Sequence, residues 1–238
     1  MGTITAIREE TPRVRSFTLG LPSWTAHRPG QHYDIRLTAA DGYSVQRSYS
    51  IASGPEREGE IDITVERVTD GEVSTFLHDV ALVGDRIECR GPIGGYFVWL
   101  AELGGPLLLI AGGSGIVPLM AMLRHRAATA PRPLTRLLYS SRTPDDIVYA
   151  DELRVLAARG DGLDVVHTLT RSQPAGWTGY ARRIDDEMLA EVRRPLGEAP
   201  LVFICGPTPL VEEAANGLVR IGVPPQRIRT ERFGPSGR

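Results

Sequence analysis

A glycine-rich turn lies near the middle of the chain, between an apolar run and the start of a helical pattern. The apolar residues 107–111 are followed by Gly112-Gly113-Ser114-Gly115, and Pro118 comes shortly afterwards. Glycines let a ligand approach the backbone closely, and the N–H groups that open a helix attract anions. Proline suits the first turn of a helix, where a missing N–H costs nothing. This order of residues is typical of a loop that binds a dinucleotide pyrophosphate.

A second candidate site is the tetrapeptide Arg47-Ser48-Tyr49-Ser50, which ends a β pattern. Arginine offers a planar fork to a phosphate, tyrosine offers a flat ring for stacking, and serine offers a hydroxyl donor. Together these groups are able to hold a flavin by its phosphate, its ring face and its N5 edge. Taken alone, the tetrapeptide fits an ordinary strand with a surface arginine equally well.

The run Gly71-Glu72-Val73-Ser74-Thr75 comes directly before a short helical pattern in the same half of the chain. Its backbone N–H groups and its two hydroxyls are suited to a second phosphate at the N-terminus of that helix. The alternative is that Ser74 only caps the helix.

The run Cys205-Gly206-Pro207 ends an apolar segment that we predict to be a parallel strand. In open α/β sheets, ligands bind at the carboxyl ends of the strands. A lone buried cysteine is normally a small apolar filler, and we assign Cys89 to that role. With the other motifs around it, Cys205 is instead a candidate site residue.

Two predicted strands end in a hydroxyl residue followed by an arginine, namely Ser141-Arg142 and Thr170-Arg171, and Arg183 follows further along the chain. A ribose 2′-phosphate needs hydroxyl and guanidinium donors, whereas NAD sites usually place an acid near the ribose. These pairs favour NADPH over NADH as the cofactor.

Composition limits the classes of protein that fit. A net charge of −2 argues against a general nucleic-acid-binding protein. All 27 basic residues are arginine, which excludes a Walker-type phosphate loop and a lysine Schiff base. Two cysteines are too few for a disulfide framework or an iron–sulfur cluster, and we predict no metal site. The first residues lack a signal-peptide pattern and no apolar run approaches membrane-spanning length, so we expect a cytoplasmic protein.

Two hydrophobic periodicities divide the chain near residue 102. Residues 1–102 show short alternating strands separated by turns, such as the segment 60–67, and this predicts a small antiparallel β-barrel. Residues 103–238 alternate apolar strands with helices, which predicts a doubly wound parallel sheet. The predicted strands of that sheet are 107–111, 134–140, 163–169 and 201–205, and the helices are 116–129, 149–158, 185–192 and 209–221.

Taken in order, the motifs resemble the ferredoxin–NADP reductase superfamily over nearly the whole chain, from Arg28-Pro29-Gly30 to Gly234-Pro235. The resemblance implies a flavin-binding barrel followed by a nucleotide-binding domain. It implies that Arg47 contacts the flavin phosphate, Tyr49 stacks on the isoalloxazine ring and Ser50 forms a hydrogen bond near N5.

The resemblance also assigns the remaining motifs. It implies that residues 71–74 hold the flavin phosphates and that residues 112–115 bind the nicotinamide dinucleotide. Thr170-Arg171 resembles the pair that binds the 2′-phosphate, with Arg183 as its downstream helper. Cys205 lies beside the nicotinamide C4 on this reading, and Gly206 permits the close approach.

The tail Glu231-Arg232-Phe233-Gly234-Pro235 resembles the end of flavohaemoglobin-type reductase modules. The resemblance implies that Glu231 assists electron or proton transfer and that Phe233 covers the flavin face until nicotinamide displaces it. The alternative is a frayed terminus.

The sequence lacks the cysteine pattern of a plant-type ferredoxin and a globin-length segment before the barrel. We therefore predict a bare reductase module that binds FAD rather than FMN. It would take a hydride from NADPH and pass electrons singly to a separate carrier, such as a ferredoxin or a haem protein. Two alternatives stay open: an NAD(P)H:flavin reductase that releases reduced flavin, and a redox-sensing subunit that binds flavin without catalysis.

Overall fold

The structure is a computed structural model, and it describes residues 1–234. Six strands and one helix make up its first part. The strands are β1 (Gly2–Thr11), β2 (Val14–Gly20), β3 (His32–Thr38), β4 (Ser44–Ser50), β5 (Glu60–Glu66) and β6 (Arg86–Ile93), and α1 (Glu72–Asp79) lies between β5 and β6.

These six strands form an antiparallel sheet in the order β4-β3-β6-β1-β2-β5. Ile51, the residue after β4, forms an antiparallel bridge to Ile63 in β5, so the two edges of the sheet meet. Alternate residues of the strands point inward, as Phe17 and Leu19 do in β2. The predicted antiparallel barrel is confirmed.

The second part is a five-stranded parallel sheet with helices on both faces. Its elements are β7 (Leu107–Gly112), α2 (Ile116–Ala128), β8 (Thr135–Ser141), α3 (Ala150–Ala157), β9 (Leu163–Leu169), α4 (Asp186–Arg193), β10 (Leu201–Pro207), α5 (Thr208–Arg220) and β11 (Ile228–Phe233). Helices α2 and α3 share one buried core with the sheet, and α4 and α5 share another. The predicted doubly wound sheet is therefore confirmed.

The strand order is β11-β10-β7-β8-β9, so the direction of winding reverses between β7 and β10. A crevice opens at such a reversal, outside the carboxyl ends of the two strands, and ligands bind there in open α/β sheets. The glycine turn follows β7, and Cys205-Gly206-Pro207 ends β10. The topology thus brings two of the sequence motifs to one crevice.

The parallel sheet contains a fifth strand, β11, where four strands were predicted. It contains Glu231 and Phe233 and pairs in parallel with β10, so the alternative of a frayed terminus is wrong for these residues. Pro235 of the predicted tail motif lies outside the described residues. A strand at the edge of a sheet needs few apolar residues, and only Ile228 of β11 is buried. The apolar pattern is consequently too weak to predict it.

The barrel and the parallel sheet share a continuous interface. Phe97, after the last barrel strand, packs edge-to-face on Phe203 of β10 with the ring centroids 5.5 Å apart. The guanidinium of Arg124 in α2 donates to the Ala52 carbonyl at 2.8 Å. The Tyr149 hydroxyl before α3 lies 2.5 Å from the Thr64 hydroxyl in β5. The predicted domain boundary near residue 102 falls between β6 and β7 and stays a prediction.

None of the helices within residues 1–234 is long and apolar enough to cross a membrane.

Candidate functional site

A cavity of about 240 Å³ lies at the reversal of the sheet, between the barrel and the carboxyl ends of the parallel strands. Several residues predicted from the sequence line it: Gly112, Gly113, Ser114, Ser141, Arg142, Thr170, Pro207 and Phe233. Three other predicted residues, Gly115, Cys205 and Gly206, are buried and do not line it. The structure thus brings together most of the residues predicted for the nicotinamide dinucleotide.

The glycine turn has the geometry of a phosphate loop. Gly113 adopts a left-handed backbone with φ +53°, and a Cβ there would meet nothing within 4 Å. Gly115 has the opposite surroundings, since a Cβ would lie 2.2 Å from the carbonyl oxygen of Cys205. The Tyr139 hydroxyl in β8 donates to the Gly113 carbonyl at 3.1 Å and helps to fix the turn. The turn therefore packs tightly against β10 while its other side stays open to a ligand.

The turns after β8 and β9 are joined by backbone hydrogen bonds. Thr170 N–H donates to the Ser141 carbonyl at 3.0 Å, and Arg171 N–H donates to the Arg142 carbonyl at 2.9 Å. All three arginines are exposed, but only Arg142 lines the cavity; Arg171 and Arg183 do not. The structure therefore favours Arg142 over Arg171 as the arginine that faces a nucleotide.

Asp146 also lines this part of the cavity, and the sequence analysis did not select it. Its carboxylate accepts hydrogen bonds from the Thr143 N–H at 3.1 Å and the Thr143 hydroxyl at 2.9 Å. The pattern Thr-x-x-Asp is a form of the capping box, and it is the signal that locates this acid at a helix start. These two donors hold the Asp146 carboxylate in place beside the cavity.

Cys205 and Glu231 are register partners at the carboxyl ends of β10 and β11. Cys205 is only 3% exposed, and Glu231 Oε2 is buried with no hydrogen-bond partner in residues 1–234. Burial raises the pKa of Glu231 to about 7. Burial and the charge of Glu231 raise the pKa of the Cys205 thiol well above its usual value. A carboxyl group that titrates near neutral pH is a candidate for proton transfer.

The predicted flavin residues Arg47-Ser48-Tyr49-Ser50 form the second half of β4, on the barrel and outside the cavity. Side chains alternate along a strand, so Arg47 and Tyr49 share one face while Ser48 and Ser50 share the other. The ring of Tyr49 is half-buried against the barrel core, and burial raises its pKa to about 12. The Ser48 hydroxyl donates to Asp34 at 2.6 Å on the opposite face.

Arg47 has no carboxylate within 4 Å among the described residues, and its Nη1 donates only to the neighbouring Gln46 carbonyl at 2.7 Å. A half-buried flat ring beside an unpaired guanidinium suits the isoalloxazine and phosphate of a flavin. The residues present therefore fit a flavin.

The start of helix α1 tests the alternative in which Ser74 caps this helix. Gly71 is the N-cap, and Ser74 is the third helical residue, so capping by Ser74 is wrong. The buried Ser74 hydroxyl donates to the Gly71 carbonyl at 3.0 Å and accepts from the Val68 N–H at 3.2 Å. The first helical hydrogen bond runs from Thr75 N–H to Gly71. The N–H groups of residues 72–74 consequently lie ahead of the helical bonding pattern, as a phosphate site requires.

Comparison with known proteins matches each of the two parts of the chain to a domain family. Residues 2–98 match the family model of the oxidoreductase FAD-binding domain, and residues 109–216 match that of the oxidoreductase NAD-binding domain. A ferredoxin–NADP reductase B from Sorangium cellulosum is 33% identical over 240 residues, which cover 97% of this chain and 96% of that protein.

Other relatives are longer. The ferredoxin reductase component of a 3-ketosteroid-9-alpha-monooxygenase from Mycobacterium tuberculosis is 32% identical over 243 residues, covering 97% of this chain and 64% of that protein. The chain thus spans less than two thirds of that relative. Among solved structures, a cytochrome P450 reductase from Amycolatopsis superposes with a TM-score of 0.84 at 26% identity, covering 99% of this chain and 70% of that one.

The fold and the two matched domains define an oxidoreductase that binds FAD and a pyridine nucleotide. The chain belongs to the ferredoxin–NADP reductase superfamily, as the identity to the Sorangium protein over nearly the full length of both chains shows. The predicted class, an oxidoreductase with an FAD-binding and an NAD-binding domain, is confirmed.

Proposed function

We propose that this protein takes a hydride from NADPH and passes electrons one at a time to a separate carrier, such as a ferredoxin or a haem protein. The observation that carries this proposal is the cavity at the sheet reversal, where the glycine turn, Arg142 and the end of β10 meet. Bound FAD supplies the conversion of a two-electron donor into single-electron steps. The protein supplies alignment and electrostatics.

On this proposal the parallel sheet binds the nucleotide. The turn at residues 112–115 holds the pyrophosphate with its open backbone, and Arg142 with the Ser141 and Thr170 hydroxyls holds the 2′-phosphate. Cys205 and Gly206 set the distance of closest approach for the nicotinamide. The guanidinium of Arg142 and the two hydroxyl residues that line this end of the cavity are the basis for proposing NADPH over NADH.

The barrel binds the flavin on the same proposal. Tyr49 stacks on the ring, Ser50 lies at the end of β4 near the N5 edge, and Arg47 pairs with phosphate. The N–H groups that open α1, in the run of residues 71–75, receive a second phosphate, and this second site favours FAD over FMN. Glu231 holds a proton near neutral pH, and Phe233 at the end of β11 covers the flavin until nicotinamide takes its place.

The names of the relatives support a separate electron acceptor. The relatives include a ferredoxin reductase component of a monooxygenase and a glycine betaine monooxygenase reductase subunit from Pseudomonas aeruginosa, the latter 33% identical over 96% of this chain and 62% of that protein. A carrier that docks at the barrel near the flavin edge would meet exposed arginines such as Arg28, Arg57 and Arg90. Arg57 already pairs with Glu60 and Asp62, so Arg28 and Arg90 are the side chains that better suit an acidic partner.

The FAD-loaded protein is expected to catalyse rapid NADPH-driven reduction of ferricyanide and of an added ferredoxin. Because the docking surface carries arginines, the rate with ferredoxin should fall as salt rises. Steady-state turnover with each acceptor checks this, with free FAD and FMN as alternative acceptors. Faster turnover with free flavin, together with loss of flavin on gel filtration, would support the flavin-reductase alternative. Failure to oxidise NADPH with any acceptor would support the redox-sensing alternative.

Tyr49→Ala is expected to weaken flavin retention much more than Tyr43→Ala. Stacking on an aromatic ring contributes roughly 0.5–1.5 kcal/mol beyond burial, so Tyr49→Ala should raise the dissociation constant of FAD about tenfold. Tyr43 is 56% exposed on the same barrel, so it has no buried ring face to offer a flavin and serves as the matched control. Fluorescence titration of the apoprotein with FAD measures both constants, and similar losses for the two variants would remove Tyr49 from the stacking role.

A further inference from the structure

Two charged residues of the barrel also line the dinucleotide cavity, and neither was selected from the sequence. Arg13 lies on the turn between β1 and β2, and Glu66 ends β5. Val14 is the register partner of Glu66, and Arg67 N–H donates to the Arg13 carbonyl at 2.8 Å. The barrel therefore presents an acidic and a basic side chain next to each other, in a site whose other walls include the ends of the parallel strands.

Glu66 already accepts a hydrogen bond from a side chain of the glycine turn. The Ser114 hydroxyl donates to Glu66 Oε2 at 2.7 Å, across the boundary between the two halves of the molecule. A hydroxyl has a single proton to donate, so Ser114 is unable to serve Glu66 and a phosphate oxygen at once. The carboxylate also places a negative charge at an anion site, which opposes the binding of a pyrophosphate.

Arg13, in contrast to Glu66, is placed to favour the binding of a phosphate. Its guanidinium reaches only the Arg67 carbonyl, at 3.5 Å, and no carboxylate lies within 4 Å of it among residues 1–234. Its side chain is exposed at the cavity wall. A guanidinium without a carboxylate partner is suited to pair with a phosphate through two parallel hydrogen bonds.

We propose that these two barrel residues set the affinity of the dinucleotide site, an inference that rests on the proposed function. In the free protein Glu66 holds Ser114, and the pyrophosphate of an incoming nucleotide takes Ser114 from it. Arg13 binds a phosphate of that nucleotide from the barrel side. Glu66 thus acts as a competitor within the site, and its release frees the hydrogen bond that joins the two halves there.

Isothermal titration of the FAD-loaded protein with NADP⁺ tests whether Glu66 lowers the affinity for the nucleotide and Arg13 raises it. Glu66→Gln should tighten NADP⁺ binding about tenfold, and Arg13→Gln should weaken it about tenfold, each equal to roughly 1.4 kcal/mol. Glu58→Gln and Arg86→Gln are the matched controls, because both residues are exposed on the barrel and neither lines the cavity. They change net charge by the same amounts, and their affinities should stay within twofold of the native value.

A double-mutant cycle tests the competition for Ser114 directly. Ser114→Ala should cost little affinity in the native background, because the native protein must break one hydrogen bond to form another. It should cost about tenfold in the Glu66→Ala background, where the hydroxyl is free before the nucleotide arrives. Equal costs in the two backgrounds would overturn the competition.

The outcomes separate this inference from the function on which it rests. If the native protein binds neither NADP⁺ nor NAD⁺, the proposed function itself fails. If it binds NADP⁺ while Glu66→Gln matches Glu58→Gln, or binds more weakly, only the role of Glu66 is overturned. A native affinity retained by Arg13→Gln would likewise remove Arg13 from the site.

Discussion

Reduction of the flavin by NADPH is expected to slow about a hundredfold in Cys205→Ser, with little change in NADPH binding. Cys205 is buried and tightly packed, since Gly115 allows the glycine turn to approach its carbonyl. A buried serine hydroxyl needs a hydrogen-bond partner, and the neighbouring Glu231 carboxylate is one that lacks any other. That bond would pull the side chain toward β11, and a misplacement of about 1 Å in the reacting atoms costs around a hundredfold.

Stopped-flow absorbance of the flavin measures this rate separately from NADPH binding. Cys89→Ser is the matched control, because Cys89 is a half-buried cysteine on β6 of the barrel, away from the parallel sheet. A rate unchanged in Cys205→Ser would make this residue a filler of the core.

Arg142→Ala is expected to lower kcat/KM for NADPH about ten- to a hundredfold, because a charge-assisted hydrogen bond contributes roughly 1.5–3 kcal/mol. The value for NADH should barely change, since NADH lacks the 2′-phosphate. Steady-state kinetics with both nucleotides gives the two ratios. Similar losses for NADPH and NADH would mean that Arg142 supports the loop and does not recognise the 2′-phosphate.

Arg171→Ala is the informative companion variant. The resemblance at Thr170-Arg171 points to Arg171, whereas Arg142 lines the cavity and Arg171 does not. We therefore expect a smaller loss of NADPH efficiency in Arg171→Ala than in Arg142→Ala. The reverse order would restore Arg171 as the main contact of the 2′-phosphate.

Strong local patterns made most of the fold predictable. The alternation in β5 follows from one face packing in the barrel core, and the unbroken apolar run of β7 follows from burial on both faces. β11 has a single buried residue, Ile228, and was missed because its apolar pattern is too weak. β1 and β2 were also not predicted; the register between them shifts twice, and the exposed residues of β1 do not alternate regularly.

The candidate site likewise has a part that the sequence predicts and a part that only the fold reveals. The glycine turn and Cys205-Gly206-Pro207 are each contiguous in sequence, so their chemistry is visible before the fold is known. Glu66 and Arg13 reach the cavity only because the barrel packs against the sheet reversal, and Ser114 lies 48 residues from Glu66. No short pattern encodes a contact between two domains, and these residues emerge only from the three-dimensional structure.

The surroundings of Cys205 have a consequence for chemical durability. The thiolate is the form of cysteine that peroxide oxidises and that alkylating agents attack. Burial and the adjacent Glu231 raise the pKa of Cys205 well above its usual value, so the sulfur stays a neutral thiol at physiological pH. Burial is the main cause of this raised pKa and the Glu231 carboxyl adds to it, so the sulfur at the end of β10 is protected from oxidation and alkylation.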